Sequence, residues 1–245
     1  MQKIALIPAR SGSKRIIDKN IAKINGHPLI AYAIFYARAS GVFDRVVVLT
    51  DSPQYGEIAK AYGAEVPYFR DDVTSQDGSP DILWLKGAIE KLLLSEADIV
   101  CILRPTSPLR NETIITDAYE TFLGLCDTFH SLRAMSPVSE HPGKMWRIIG
   151  DQAIPLLPFD NGSGVPWHSS QSNTLPHCFV QNASMEFVKV RWVLNTNTIS
   201  GWTVAAYIMT GYSSLDINFP EDLDFLEYLV LNKKVTLPNL IESET

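Results

Sequence analysis

Four cationic side chains follow an apolar run near the start of the chain. Residues 4–7 read Ile-Ala-Leu-Ile, Pro8 ends the run, and a loop of small and basic residues occupies 9–20. The cations of this loop are Arg10, Lys14, Arg15 and Lys19. Small residues let backbone N–H groups approach an anion closely, and the chain as a whole is acidic, with a net charge of -6. The pattern therefore predicts a buried strand followed by a phosphate-binding loop, for which a nucleoside triphosphate is the best ligand.

Two common phosphate-binding loops are excluded by their spacing. A Walker loop requires GxxxxGK followed by Ser or Thr, and ARSGSKR at 9–15 lacks the first Gly and the spacing. The dinucleotide fingerprint GxGxxG is absent, because no further Gly follows Gly12 before Gly26. On residue types alone, a solvated basic turn between a strand and a helix stays open as the alternative.

Other polar residues come directly after apolar runs. Asp51 follows RVVVLT, Arg104 follows DIVCIL, and Asp216 comes after TVAAYIM. Ligands of open parallel sheets bind beyond the carboxyl ends of the strands, so we expect these side chains to meet the basic loop at one edge of a sheet. Taken singly, Asp51 could instead cap the helix that follows it.

The composition fits a globular α/β protein and limits its partners. The chain has 245 residues, 46% of them apolar, and its net negative charge argues against nucleic acid as a partner. Three widely spaced cysteines, Cys101, Cys126 and Cys178, suit reduced thiols rather than a disulfide framework or a zinc cluster. No apolar run is long enough to span a bilayer, and the first strand begins close to Met1. We therefore expect a cytoplasmic protein with no membrane partner.

Apolar strands and helical patterns alternate through the first half, which predicts a mostly parallel sheet with helices on both faces. A helix is predicted over 28–40, with Pro28 at its first position and Gly41 as its terminating cap. Further predicted elements are a strand at 45–50, a helix after Pro53, a short strand at 65–68, a helix capped by Ser79-Pro80 and a strand at 98–103.

The alternation stops near residue 135. Pro and Gly residues recur between 137 and 176, which indicates irregular structure, and the polar segment 160–174 suits a mobile lid or arm. Strands are predicted again within 177–190 and 203–209, and a last helix over 220–231. We predict a single domain over 1–245 with an insertion at about 137–181.

The order of residues in the basic loop is more specific than their types. IPARSGSKR, the following KN and then NGHPLIAYAI resemble the opening of the acylneuraminate cytidylyltransferase family, which activates sialic acid and related sugar acids with CTP. That family usually reads IPARGGSKGIPGKN followed by GKPLI, so Ser11, Arg15, Ile16 and Asp18 are departures. The resemblance recurs in order in RPTSPLR, EHPGKMW, FVQNAS and DINFPED and covers nearly the whole chain. It implies a Rossmann-like fold of the nucleotide-diphospho-sugar transferase type. It also implies a homodimer, in which the insertion builds the interface and reaches toward the neighbouring active site.

The resemblance also implies how CTP, as co-substrate, is held. Arg10 and Lys19 would bind the triphosphate, backbone groups around 11–14 would add donors, and the cytosine would be read by Asn20, Arg70 and Ser79. The predicted nucleotide-binding residues are Ala9, Arg10, Ser11, Gly12, Ser13, Lys14, Lys19, Asn20, Arg70 and Ser79. Ser79 could equally be a helix cap.

The sugar acid is predicted to meet the segment RPTSPLR. Arg104 stands where the family often has Gln, and a guanidinium can hold a carboxylate through two hydrogen bonds, so this departure indicates a different sugar. Arg110 could join it, or could only pair with Glu112 or cap a helix. The predicted substrate-binding residues are Arg104, Ser107, Lys144, Gln181 and Asn182.

The segment DINFPED resembles the family's DIDxPED, whose two aspartates hold a metal. Asp216 keeps the first carboxylate, and Asn218 replaces the second with a neutral carbonyl oxygen. Mg²⁺ binds hard oxygen ligands and needs only one or two carboxylates beside phosphates, so we expect Mg²⁺ at Asp216 and Asn218. An acidic helix start would explain Glu221 and Asp222 without a metal, but not Asp216.

Together these motifs predict transfer of CMP from CTP to the anomeric hydroxyl of a sialic-acid-like 2-keto sugar acid, with release of pyrophosphate, for surface glycan biosynthesis. The candidate catalytic residues are Arg10, Lys19 and Asp216, and no general base is evident. One alternative is a nucleotidyltransferase with another acceptor or base. The other is a catalytically inactive nucleotide-binding relative, marked by Asn218.

Overall fold

The structure is a computed structural model that describes residues 1–160 and 162–241. Ten strands occur in these residues. They are β1 (Lys3–Pro8), β2 (Lys23–Ile24), β3 (His27–Pro28), β4 (Arg45–Leu49), β5 (Ile99–Leu103), β6 (Ser131–Pro137), β7 (Trp146–Ile149), β8 (Gln152–Pro155), β9 (Phe179–Lys189) and β10 (Val204–Ile208). The helices are α1 (Leu29–Ala39), α2 (Pro53–Ala61), α3 (Asp72–Ser75), α4 (Asp81–Lys91), α5 (Glu112–Leu125), α6 (Val190–Thr196) and α7 (Pro220–Leu231).

Six strands form the central sheet in the order β10-β6-β9-β5-β1-β4. β1 pairs in parallel with β4 and β5, and β10 pairs in parallel with β6. β9 runs antiparallel to both of its neighbours, β5 and β6. The prediction of a mostly parallel sheet is confirmed, and β9 is its one reversed strand.

Both faces of the sheet are covered, as the apolar runs predict. Successive residues of a strand point to opposite faces. Ala5 and Ile7 of β1 accordingly pack in a core with α1, α2, α5 and α7, whereas Ile4 and Leu6 pack in a second core with α4 and α6. All four side chains are fully buried. Burial on both faces explains why the strand is a continuous apolar run rather than an alternating one.

Several predicted elements differ from those observed. α1 begins at Leu29 and ends at Ala39, so Pro28 lies before the helix rather than at its first position. Gly41 follows the helix with φ +64, the left-handed conformation that favours glycine, as predicted. The short strand expected at 65–68 is reduced to a single bridge between Val47 and Glu65. Ser79 is not the cap of α4, because Pro80 occupies that position.

The region predicted as an insertion contains regular structure. β7 and β8 form an antiparallel hairpin, and short 3-10 turns follow at Trp167–Ser169 and Ser172–Thr174. The segment 160–174 is predicted as a mobile lid or arm, and one of its residues, Asn161, lies outside the described residues.

Within the described ranges, none of the helices has the length and apolar character that a membrane span requires. The three cysteines of these ranges carry no disulfide, as predicted.

β9 is anchored by an aromatic cluster around Phe187. The ring of this fully buried residue lies 6.1 Å from the ring of Phe43, 5.8 Å from that of Tyr119 and 5.8 Å from that of Phe122, measured between centroids. Nearer its start, β9 bulges against β6, so that residues 182–185 lie opposite Ala134 alone. The anchored strand thus carries an irregular segment to the edge at which β5 ends.

We expect Phe187→Ala to lower the free energy of unfolding by about 3–5 kcal/mol, because it opens a cavity beneath the middle of the sheet. Phe225→Ala is the matched control, since the Phe225 ring on α7 is 43% exposed and its loss should cost about 1 kcal/mol or less. Urea unfolding at one fixed protein concentration measures both changes. Equal costs for the two substitutions would contradict the assigned core.

Candidate functional site

A cavity of about 670 Å³ lies at the carboxyl ends of β1 and β5. Most of the residues singled out from the sequence line it, although some of them lie more than two hundred positions apart in the chain. Those residues are Arg10, Ser13, Lys14, Lys19, Asn20, Arg70, Ser79, Arg104, Asp216 and Asn218. A second cavity of about 540 Å³ shares Arg10 and Lys14 with the first and adds Ser11 and Gly12.

Some predicted site residues lie elsewhere. Ala9 is fully buried in the core beside the loop, and Ser107 is buried below the wall of the cavity, where its Oγ has no partner among the described residues. Lys144 donates from Nζ to the carbonyl oxygens of His168 and Ser170 within the insertion. This lysine is therefore held away from the cavity of its own chain.

Gln181 and Asn182 at the β9 bulge are also bonded outside the cavity. The Gln181 side-chain oxygen accepts a hydrogen bond from Arg133. Asn182 donates to Ser136 Oγ over 2.8 Å and accepts from the Ser184 N–H over 3.1 Å. Ala183, which lies between them and Ser184, reaches the cavity wall with φ +55.

The basic loop is held by two aspartates. Asp51 accepts from both the N–H and the hydroxyl of Ser11, each over 2.7 Å. The possibility that Asp51 caps the next helix is therefore wrong, because Ser52 caps α2. The Ser11 N–H was expected to face an anion, and it is already used by Asp51.

Asp77 is the second of these aspartates, and it bridges two cations of the loop. It forms ion pairs with Arg10 and with Lys14, the latter over 2.8 Å from Nζ to Oδ2. Hydrogen bonds from Lys14 and Arg10 lower the pKa of the Asp77 carboxyl. The Asn20 side chain fixes the loop from the other side by donating to the Arg10 carbonyl oxygen over 3.0 Å. Two of the four cations of the loop are thus paired with one carboxylate of the same chain.

The opposite wall carries Asp216 and Asn218. Asn218 Nδ2 donates to Asp216 Oδ2 over 2.8 Å, whereas Asp216 Oδ1 is buried with no hydrogen-bond partner among the described residues. Lys19 Nζ donates to the carbonyl oxygen of Ile217 over 2.9 Å. Burial lowers the pKa of Lys19, and the charge of Asp216 opposes that shift. No group of three or more His, Cys, Asp or Glu suited to a metal occurs within the described ranges.

The acidic start of α7 has a separate explanation. Asp222 Oδ2 accepts from the N–H groups of Asn218 and Phe219, both over 2.8 Å, and so satisfies donors at the beginning of the helix. The Ile217 N–H donates to the Thr106 carbonyl oxygen over 2.8 Å, which ties this segment to the loop after β5. Asp216 takes no part in capping, so the helix-start interpretation does not account for it.

Arg70 and Ser79 form the far end of the cavity. Burial lowers the pKa of Arg70, whose guanidinium lies 5.7 Å from the centre of the Trp84 ring and donates to the Thr74 carbonyl oxygen. Ser79 Oγ is buried and unpaired among the described residues. Unpaired buried hydroxyls carry a desolvation cost, so this group suits a polar partner supplied by a ligand.

The two arginines of the segment RPTSPLR lie in different places. Arg104 lines the cavity and pairs with Asp81, the first residue of α4. Arg110 is fully buried and donates to Ser184, and burial lowers its pKa to about 10. The three possibilities considered for Arg110 are therefore wrong. Arg110 binds Ser184 rather than Glu112 or a carboxylate ligand, and Asn111 caps α5.

The cavity wall also includes residues that the sequence did not single out, among them Gln76, Asp77, Asp81, Trp84 and Ala183. An available signal was the acidic segment 71–81 around the Arg70 and Ser79 positions, since carboxylates there would balance a basic loop. Trp84 reads only as one apolar position of a helix.

Known proteins resemble this chain in sequence and in fold. The family model described as "Cytidylyltransferase" matches residues 4–135. A pseudaminic acid cytidylyltransferase of Campylobacter jejuni is 44% identical over 126 residues, which are 50% of this chain and 54% of that protein. An N-acylneuraminate cytidylyltransferase of Escherichia coli is 31% identical over 94% of this chain and 52% of its own length. The chain thus spans about half the length of these curated relatives.

A solved structure of CMP:2-keto-3-deoxy-manno-octonic acid synthetase complexed with CTP shares the fold. It superposes with a TM-score of 0.68, at 15% identity, over 95% of this chain and 100% of that one. The family match covers the basic loop, Arg70, Ser79 and Arg104, which are the residues that the fold gathers in one cavity. The chain belongs to the cytidylyltransferase family, and its sequence relatives include cytidylyltransferases of nonulosonic acids.

Proposed function

We propose that the chain transfers CMP from CTP to the anomeric hydroxyl of a sialic-acid-like 2-keto sugar acid. The hydroxyl oxygen bonds to the α-phosphorus of CTP, the bond from that phosphorus to the bridging oxygen breaks, and pyrophosphate leaves with the electron pair while the hydroxyl loses its proton. This proposal rests on one observation: a single cavity is lined by three cations, Arg10, Lys14 and Lys19, and by the carboxylate of Asp216. Catalysis by such a site is positioning and stabilisation of the charge that develops on the leaving group.

The triphosphate would replace Asp77 as the partner of Arg10 and Lys14. Both pairs are exposed to solvent, which weakens them, so a polyanion can displace a single carboxylate easily. Lys19 remains opposite, beside Asp216, where it can meet the phosphate oxygens. The cytosine would lie toward Arg70 and Ser79, whose buried hydroxyl lacks a partner among the described residues.

Asp216 and Asn218 would hold a divalent metal, and Mg²⁺ fits the donors that are present. Asp216 Oδ1 is buried and free of hydrogen bonds from the described residues. Asn218 uses its Nδ2 on Asp216, which leaves its carbonyl oxygen as a further hard ligand. When bound, Mg²⁺ would neutralise negative charge on the phosphate oxygens.

The sugar acid would lie between Arg104 and the insertion of a second subunit. Lys144 and Gln181 are bonded outside the cavity of their own chain, so they could serve the site of a partner, whereas Asn182 is buried within its own chain. The insertion exposes many large apolar side chains, which is typical of a surface that another chain covers. These are Trp146, Ile148, Ile149, Ile154, Leu156, Phe159, Phe179 and Val180.

The reaction is tested by pyrophosphate release from the purified protein with Mg²⁺. CTP is compared with the other nucleoside triphosphates against a panel of neuraminic, legionaminic, pseudaminic and octulosonic acids. We expect release only with CTP and one class of nonulosonic acid, and a loss of at least 100-fold in kcat/KM for Arg10→Ala, because a cation at the leaving group is removed. Lys234→Ala, an exposed cation outside the cavity, is the control. Release with another triphosphate, or with sugar phosphates alone, would overturn the proposal.

The metal assignment predicts opposite effects for two substitutions. Asn218→Asp should lower the Mg²⁺ concentration for half-maximal activity about tenfold, because it adds a charged oxygen ligand. Asp216→Asn should raise that concentration at least as much. Titration calorimetry of Mg²⁺ in the presence of a non-hydrolysable CTP analogue gives the same comparison without turnover. An unchanged Mg²⁺ dependence in both variants would place the metal elsewhere.

If the insertion of one subunit completes the active site of the other, the protein is a homodimer whose interface includes the insertion. Ile148→Asp should produce monomers at micromolar concentration in sedimentation velocity and should lower activity with it, since a charge would be buried at the interface. Leu93→Asp is the matched control, because Leu93 is also highly exposed but lies at the end of α4. A wild-type protein that sediments as a monomer while fully active would contradict the shared site.

A further inference from the structure

We propose that Asp81 is a positioning residue that fixes the guanidinium of Arg104 for the carboxylate of the sugar acid, and so contributes to acceptor selection. The inference rests on the proposed function and adds a residue to it. Asp81 lies at the start of α4, whereas Arg104 follows the end of β5, and the two side chains meet at the cavity wall.

The Asp81 carboxylate is held on both oxygens. Its Oδ1 accepts from Trp84 Nε1 over 2.7 Å, and its Oδ2 accepts from an Arg104 amino group. Trp84 is almost fully buried and packs in the core beneath α4, so it is a rigid donor. The N-terminal position on a helix adds a favourable electrostatic environment for the negative charge.

The charge state of Asp81 supports this arrangement. Burial alone would raise the pKa of its carboxyl, but the charge of Arg104 and the hydrogen bonds from Trp84 and Arg104 outweigh burial and hold that pKa below its ordinary value. Arg70, the next cation along the wall, acts in the same direction. Asp81 therefore stays ionised at neutral pH and pairs with Arg104 permanently.

Arg104 retains free donors for a ligand. A guanidinium has five N–H donors, and among the described residues the Arg104 guanidinium donates only to Asp81. A long arginine side chain loses rotamer freedom when it binds, so holding it in place beforehand removes part of that cost from ligand binding. A planar group with paired donors selects a carboxylate, which is the group that distinguishes a sugar acid from a neutral sugar.

The test compares the change in KM for the sugar acid with the change in KM for CTP. Asp81→Asn should raise the KM for the sugar acid about tenfold and change the KM for CTP less than about twofold, because the Arg104 guanidinium loses its orientation. Trp84→Phe, which removes the Nε1 donor and keeps a ring, should change the sugar-acid KM in the same direction by a smaller factor. Glu90→Gln, an exposed carboxylate on the same helix, is the matched control.

A double-mutant cycle tells positioning from general damage. Arg104→Gln should raise the sugar-acid KM by itself, and adding Asp81→Asn should then change little, because the group that Asp81 positions is gone. Additive effects, an unchanged sugar-acid KM, or an increase confined to the KM for CTP would overturn the proposal. An inactive wild-type enzyme with every substrate pair would instead refute the proposed function, so the two failures are distinguishable.

Discussion

Repulsion among the cations of one cavity is the constraint on which this site depends. Six guanidinium or ammonium groups line it: Arg10, Lys14, Arg15, Lys19, Arg70 and Arg104. Two like charges 4 Å apart cost about 4 kcal/mol at the effective dielectric of a protein surface, so such a group needs nearby counter-charges. Asp77, Asp81 and Asp216 supply them at three points of the wall. The carboxylates keep the cations together and leave donors for a ligand with more negative charge.

The reversed direction of β9 determines what else can reach this edge. In an all-parallel sheet every strand would bring its carboxyl end here. β9 brings its amino-terminal half instead, because it is antiparallel to β5 and β6. The bulge at 182–185 then aims Ala183 into the cavity, and the buried Ser184 receives the guanidinium of Arg110. The aromatic cluster on Phe187 makes this geometry rigid, since a shift of β9 would disturb several packed rings.

The chain has two different surfaces, a charged cavity and an exposed apolar hairpin. The sheet and its loops gather the charged residues in one cavity, whereas the insertion presents a hairpin with exposed apolar side chains. The proposed sharing of an active site between subunits accounts for both. A polar carbohydrate needs many hydrogen-bonding groups around it, and a second chain can add donors where one sheet edge has been filled by the nucleotide.

Sequence alone is enough to predict the alternation of strands and helices, the position of the basic loop, and the family. These are local properties: apolar runs, Pro and Gly at element ends, and the order of residues in IPARSGSKR need no knowledge of distant contacts. Which side chains face one another depends instead on the tertiary structure. Ser11 binds Asp51 rather than leaving its N–H for an anion, Arg110 turns into the core, and Asp77 and Asp81 become partners of arginines. Such pairings depend on strand order and on the direction of β9, because charges far apart in the chain interact only where packing brings them within a few ångströms.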